Sequence, residues 1–131
     1  MSQYLHLPIY NVAFGFLKEL HMRVPKFSKQ HKYFLGGKLI EYNIDIIRLI
    51  IEANNCRDMS LRSTELAKLS EKIELLILHT RLAEELEQWG SKNGYLFLVE
   101  KLADLSRQTE GWRKSTSSLC VVSSRSFQSV D

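Results

Sequence analysis

The 131-residue sequence contains little of the chemistry from which disulfide frameworks, metal sites and enzyme active sites are built. Two cysteines, Cys56 and Cys120, are too few for a disulfide framework or a structural zinc site. A Walker A loop and the GxGxxG, HExxH and CxxC motifs are absent, and none of the four histidines belongs to a Glu-x-x-His pair. We therefore expect a protein that is not an enzyme and that uses no metal or other cofactor.

Long apolar runs are also missing, since no stretch approaches the roughly 18–20 apolar residues of a membrane span. The N-terminal segment lacks the basic start, apolar block and cleavage site of a signal peptide. With 44% hydrophobic and 25% charged residues, the composition is that of a single soluble globular domain. Together with the scarcity of cysteine, these absences predict a cytoplasmic protein that makes no membrane contact.

Helical periodicity is the main signal that is present, and it is strongest between Phe34 and Asn54. Charged residues recur there at intervals of three and four, on one stripe of an α-helix; they are Lys38, Glu41, Asp45, Arg48 and Glu52. Most of the remaining circumference is apolar, which is more than the apolar arc of an ordinary surface helix. The helix must therefore be covered from several sides, which predicts contacts with another subunit as well as with sibling helices.

The whole chain predicts an all-α fold, an antiparallel up-down-up-down four-helix bundle. Helices are expected at about residues 8–24, 29–54, 61–89 and 95–112, with Pro25, Asn55, Gly90 and Gly94 in the connections between them. Short connections between consecutive helices favour antiparallel packing. Residues 1–114 are expected to form the bundle, and the serine-rich residues 115–131 are expected to form a disordered tail.

Positive charge is unevenly distributed, although the net charge is only +3. Basic residues cluster around the start of the second predicted helix and again at the end of the fourth. The candidate nucleic-acid contacts are Arg23, Lys26, Lys29, Lys32, Lys38, Arg107, Arg113 and Lys114. Such clusters suit a polyanion that is contacted mainly through its phosphates. A solvated basic face without a partner would show the same pattern, so charge alone leaves both interpretations open.

Three aromatic residues, Phe27, Tyr33 and Phe34, interleave with these lysines, as on surfaces where bases stack and phosphates bind. The alternative for the two phenylalanines is that they anchor the start of the second helix in the core, and we predict this alternative. Gly36 and Gly37 lie inside the same helix, where glycine lowers stability. Close helix packing or a local kink would explain them, and so would the close approach of a nucleic-acid backbone or a partner chain; we favour packing.

Several segments together resemble a known family: PIYNVAFGFLKELHMRVPK, FLGGKLIEYNIDIIRLIIEAN, RLAEELEQW and GYLFLVEKLADLSRQTEGWRKS. They resemble, over about residues 8–115, the Avd proteins, which are accessory variability determinants of diversity-generating retroelements. A sister group, the proteins encoded in 23S ribosomal RNA intervening sequences, shares the fold. Gly111 and Trp112, followed by basic residues, favour Avd over the sister group.

The resemblance implies a homopentameric barrel with a basic surface. It also implies binding to the retroelement's reverse transcriptase and to RNA, with DNA as a second nucleic acid, in support of mutagenic complementary DNA synthesis. One alternative is an intervening-sequence-type bundle protein, structural or RNA-binding, without a reverse transcriptase partner. Another is a purely structural oligomer whose basic face is incidental. A metal-dependent bundle enzyme would need inward-facing Glu and His residues, which the apolar seams lack.

Overall fold

The structure, a computed structural model, describes the backbone of residues 3–130 and the side chains of residues 4–120. Over this range the chain is helical and has no strand, which confirms the predicted all-α class. The α-helices are α1 (Pro8–Arg23), α2 (Lys29–His31), α3 (Gly37–Asn55), α4 (Met59–Glu85) and α5 (Lys92–Val130). Short 3₁₀ helices span Gln3–His6 and Val24–Lys26, and a π-helical turn, Lys32–Gly36, joins α2 to α3.

The four long helices surround one hydrophobic core. The apolar residues that recur at intervals of three and four along the first helix are all buried; they are Ile9, Ala13, Phe16, Leu20 and Val24. Helix α3 packs against both α1 and α4, and α5 packs against both α4 and α1. The predicted helical bundle is therefore confirmed, and each long helix has two neighbours.

Helix α3 uses different sides for its two neighbours. On one side the carboxylate of Asp45 pairs with Lys72 of α4 at 3.2 Å, and the ring of Tyr42 meets His79 of α4 edge-on. On the other side Asn43 is buried, and its Nδ2 donates a hydrogen bond to the carbonyl oxygen of Ala13 in α1 at 3.1 Å. Of the charged stripe predicted from the sequence, Asp45 therefore faces α4, whereas Lys38, Glu41, Arg48 and Glu52 are exposed.

The second predicted helix begins at Lys29, as expected, but the π-helical turn interrupts its regular geometry. A π turn is wider than an α-helical turn and changes the direction in which the following side chains point. Leu35 and Gly36 face the core in this turn, and a Cβ atom on Gly36 would overlap the side chain of Val24. Close packing therefore explains Gly36, as predicted. It does not explain Gly37, which is exposed and has open space at its Cβ position.

Helix α4 ends at Glu85, earlier than the predicted end at residue 89. Glu87 adopts a left-handed conformation with φ of 58°, and the N–H of Gln88 donates to the carbonyl of Ala83 at 2.8 Å, which closes the helix end. Trp89 then turns back towards the core, where its Nε1 donates to the carbonyl of Thr80 at 2.9 Å. Burial of this large side chain therefore replaces the expected continuation of the helix.

Helix α5 continues to Val130, where a helical end near residue 112 and a disordered tail from residue 115 were predicted. Threonines extend its buried seam beyond Leu105 and past the predicted helix end, because Thr109 and Thr116 are both buried. The hydroxyl of Thr109 donates to the carbonyl of Leu105 at 2.9 Å, so it needs no partner from another helix. A search for apolar residues at helical intervals does not find such buried threonines.

Three residues of the predicted regions lie outside the described residues: Met1 and Ser2 of the predicted bundle and Asp131 of the predicted tail.

No helix in the described range combines the length and the apolar character that crossing a membrane requires.

Candidate nucleic-acid interface

The connection between α1 and α3 carries three lysines. Lys26 ends the 3₁₀ helix that contains Pro25, Lys29 begins α2, and Lys32 begins the π turn. Lys26 and Lys29 are exposed and Lys32 is half-buried. None of the three forms an ion pair with a carboxylate whose side chain the structure describes. Their ammonium groups are therefore available to an external anion.

Most of the other predicted cations already have a carboxylate partner on their own helix. The pairs are Arg23 with Glu19 at 3.1 Å, Lys38 with Glu41 at 3.4 Å, Arg107 with Asp104 at 3.9 Å, and Arg113 with Glu110 at 3.0 Å. Lys114 is exposed and has no such pair among the described side chains. Each pair stabilises its helix by only about 0.2–0.5 kcal/mol, but it lowers the local positive potential that a phosphate would meet.

Arg23 also makes contacts that join two helices. Besides its pair with Glu19, its guanidinium lies over the ring of Phe97 in α5, 5.8 Å from the centroid. Lys101, one turn further along α5, lies over the same ring at 5.2 Å. Cations placed over an aromatic face in this way are attracted to it, so Arg23 helps to hold the end of α1 against the start of α5.

Arg107, Arg113 and Lys114, called here the α5 cations, lie far from the three lysines. The start of α5 is near Arg23, because the Arg23 Nη1 lies 2.7 Å from the position that a Cβ on Gly94 would take. At about 1.5 Å of rise per residue, α5 extends about 30 Å between Gly94 and Lys114. The predicted site residues are therefore not brought together in one place but fall into two groups at different levels of the bundle.

The three aromatic residues near the lysines behave differently from one another. Phe27 is buried, as predicted, and its ring meets Trp89 edge-on with 5.0 Å between centroids. Phe34 is 83% exposed, so the prediction that it anchors the helix in the core is wrong. Tyr33 is 75% exposed beside it. We call Lys26, Lys29, Lys32, Tyr33 and Phe34 the lysine–aromatic patch.

The π turn is the reason that sequence reasoning missed the exposed position of Phe34. In a regular helix a strongly apolar segment predicts that its first phenylalanine joins the buried side, and the wider turn changes that register. The signal that the sequence does contain is the glycine pair directly after the aromatic residues. Gly36 takes the buried position against Val24, which leaves Tyr33 and Phe34 on the outside.

Acidic residues border the patch on one side. Glu84, Glu85 and Glu87 surround the connection between α4 and α5, and Glu87 shares a shallow pocket with Lys26. Their negative potential opposes an approaching polyanion, so the accessible positive surface faces outward from α2 and the π turn.

Among the described side chains, no group of three or more His, Cys, Asp and Glu residues is arranged to hold a metal ion.

No protein-family model and no curated protein matches this sequence. The function is therefore inferred from the geometry of the lysine–aromatic patch, together with the resemblance described under Sequence analysis.

Proposed function

We propose that this chain is an Avd-like accessory protein of a diversity-generating retroelement, which binds RNA and the reverse transcriptase and supports mutagenic complementary DNA synthesis. The observation that supports RNA binding is the presence of three neighbouring lysines without an ion-pair partner among the described side chains. The retroelement and the reverse transcriptase come from the resemblance. DNA, whose phosphates are chemically the same, is a second ligand of the same surface.

Lysines recognise phosphates as point charges, so binding to this surface is largely independent of base sequence. Its strength comes from the counterions that the nucleic acid releases, and it falls steeply as salt is added. Three lysines on one chain form a weak site. Several copies of the chain, arranged in a ring, would engage one RNA at several points and raise the overall affinity.

The proposed helix order is antiparallel, up-down-up-down. Contacts at one level of the bundle support this order: Arg23 at the end of α1 meets Phe97 near the start of α5, and Val24 packs against Gly36 just before α3. In an antiparallel bundle the end of each helix lies beside the start of its neighbours, which is the arrangement that these contacts support.

The proposed assembly is a homopentameric barrel. Helix α4 supports an oligomer because it is apolar on two sides: one side forms the core, and the other exposes Leu78 and Leu82, with exposed Leu86 directly after the helix end. Ile44 of α3 is also about half exposed. A repeated apolar stripe on a small domain is typical of a surface that another subunit covers. The number five comes from the resemblance.

A charge placed in this stripe tests the assembly. Leu78→Glu should convert the oligomer to monomers, because a carboxylate would be buried in the subunit contact, and sedimentation velocity or light scattering would measure the mass. Leu61→Glu is the matched control, since Leu61 lies on the same helix and is 59% exposed against 58% for Leu78. A wild-type mass of one chain, or equal dissociation of both variants, would contradict the proposed interface.

Charge reversal in two matched groups tests the RNA site. Fluorescence anisotropy with a structured RNA would be measured at about 50 and 200 mM salt, where binding through phosphates differs strongly. We expect Lys26→Glu/Lys29→Glu/Lys32→Glu to weaken binding at least tenfold while the mass of the oligomer stays unchanged. Reversal of the α5 cations should have the smaller effect. If the α5 variant loses more affinity, or if the lysine variant loses none, the assignment of the site is wrong.

Co-purification tests the protein partner. A tagged copy of the chain, co-expressed with a reverse transcriptase of a diversity-generating retroelement, should retain the enzyme after nuclease treatment, which removes bridging RNA. Retention of RNA without retention of the enzyme would instead support the intervening-sequence-type alternative. Retention of neither would leave a structural oligomer whose basic surface is incidental.

A further inference from the structure

The lysine–aromatic patch exposes two large aromatic side chains that the charge-based proposal does not use. Single exposed apolar residues are common on protein surfaces and need no explanation. Tyr33 and Phe34 differ because they are consecutive, are among the most exposed large apolar side chains described, and lie beside the unpaired lysines. A phosphate contact alone gives no reason for them.

The backbone holds both side chains outward. The π turn that contains them is anchored on its inner side, where Leu35 is buried and Gly36 packs directly against Val24. Rotation of this turn to bury Phe34 would require Leu35 to leave the core. The two rings are therefore presented on a supported segment, and little backbone ordering is needed when a ligand binds them.

The faces of both rings are open to a ligand. No aromatic ring and no cation among the described side chains stacks on Tyr33 or Phe34, whereas Phe14, Tyr42 and Phe97 each have such a neighbour. Gly37, four residues after Tyr33, has no side chain and has open space at its Cβ position. Lys29, four residues before Tyr33, is exposed, as Tyr33 is.

From this geometry we infer that Tyr33 and Phe34 stack on unpaired bases while Lys26, Lys29 and Lys32 contact the adjacent phosphates. The inference rests on the proposed RNA binding and narrows its ligand to single-stranded RNA. Aromatic side chains beside a basic surface bind single strands because every unpaired base exposes a flat face. In a duplex those faces are stacked on neighbouring base pairs, so a duplex would use the lysines alone.

The test compares three fluorescent probes on the full-length chain by anisotropy: a single-stranded oligouridine, an RNA duplex of the same length, and an abasic phosphodiester strand of that length. Tyr33→Ala/Phe34→Ala should weaken binding of oligouridine by about 5- to 140-fold for each base that is no longer stacked. Binding of the abasic strand should stay unchanged in the variant. Wild-type protein should prefer oligouridine to the duplex.

Two controls separate stacking from general damage. Tyr33→Phe keeps the ring and should bind oligouridine as wild type does. Leu61→Ala removes another exposed apolar side chain, from a different helix, and should also have no effect. Unchanged oligouridine binding in the double variant would overturn the inference, and so would an equal loss on the abasic strand. If the double variant instead loses its oligomeric mass, the two rings belong to a subunit interface and the inference fails.

The outcome also separates this inference from the proposed function. Salt-dependent RNA binding that the lysine variant abolishes and the aromatic variant retains would leave the proposed function standing and refute base stacking alone. Absence of RNA binding by the wild-type chain would refute both.

Discussion

Basic residues lie near both ends of α3. An arginine at one end binds backbone carbonyls of the fold, and the lysines at the other end have no such partner in the described part of the chain. Where α3 ends, Arg62 of α4 donates to the carbonyl oxygens of Ala53, Asn54 and Cys56 at distances of 2.9, 3.4 and 2.7 Å. Terminal carbonyls of a helix lack partners within it and carry partial negative charge, so a cation there is stabilising. Arg62 therefore closes the end of α3.

At the opposite end Lys29 occupies an unfavourable position. Lys29 is the first residue of the helical run that continues into α3, and the first turn of α2 contains no acidic residue. The start of a helix carries partial positive charge, which repels a cation. Lys29 therefore gains no carboxylate partner from the described side chains and no favourable interaction with the helix dipole. The comparison teaches that the partners of a cation, rather than the number of cations, distinguish a structural basic residue from a candidate ligand contact.

The largest expected effect is a loss of stability at the end of α3 that Arg62 contacts. Arg62→Ala should lower the free energy of unfolding by about 3 kcal/mol, because it leaves several carbonyls of the α3 terminus without their charged donor. Urea unfolding at a fixed protein concentration would measure the loss. Arg57→Ala is the control: Arg57 is exposed in the same connection, and its removal should change stability by no more than about 0.5 kcal/mol. Equal losses in the two variants would remove the contrast between the ends.

The next largest effect is also on stability, and it distinguishes two adjacent glycines at the end of α3 that lies nearer the three lysines. Gly36→Ala should lower the free energy of unfolding by about 1–3 kcal/mol, because the new methyl group would overlap the stiff side chain of Val24. Gly37→Ala should instead raise it by up to about 1 kcal/mol, since the position is open and alanine favours the helix. The same urea experiment gives both values.

The sign of the difference between the two glycine variants is the informative result. If Gly36→Ala were as stable as Gly37→Ala, then Gly36 would not anchor the π turn. The outward position of Tyr33 and Phe34 would in that case lose its structural explanation.

Sequence reasoning predicted the helices and their buried seams because long periodic segments report burial directly. Residues such as Phe16, Leu66 and Leu98 are buried where the pattern places them. The prediction failed where the local backbone geometry departs from the regular helical period. The π turn moved Phe34 to the surface, and the contacts of Trp89 ended α4 early.

Charge and partners were predictable to different degrees. The sequence identifies the basic clusters, and an i, i+3 or i, i+4 spacing identifies pairs such as Arg113 with Glu110. It does not reveal that Arg62 contacts the α3 carbonyls, because that contact depends on how the chain folds back between α3 and α4.

The smallest expected effect concerns Lys29, whose substitution should raise stability and lower RNA affinity. Lys29→Glu replaces an unfavourable cation at the start of a helix with a favourable anion, so the free energy of unfolding should rise by about 0.3–1 kcal/mol. The same variant should bind RNA more weakly, because one ammonium group is lost and a carboxylate faces the phosphates. Urea unfolding and anisotropy at two salt concentrations would measure the two quantities on one preparation.

Lys114→Glu provides the comparison for this last variant, because Lys114 is exposed, has no ion pair among the described side chains, and lies in the middle of α5 rather than at a helix start. It should leave stability nearly unchanged and weaken RNA binding less than Lys29→Glu does. A gain in stability without a loss of affinity at Lys29 would mean that its position has no role in binding. A loss of both would mean that Lys29 supports the fold, and the contrast between the two ends of α3 would then disappear.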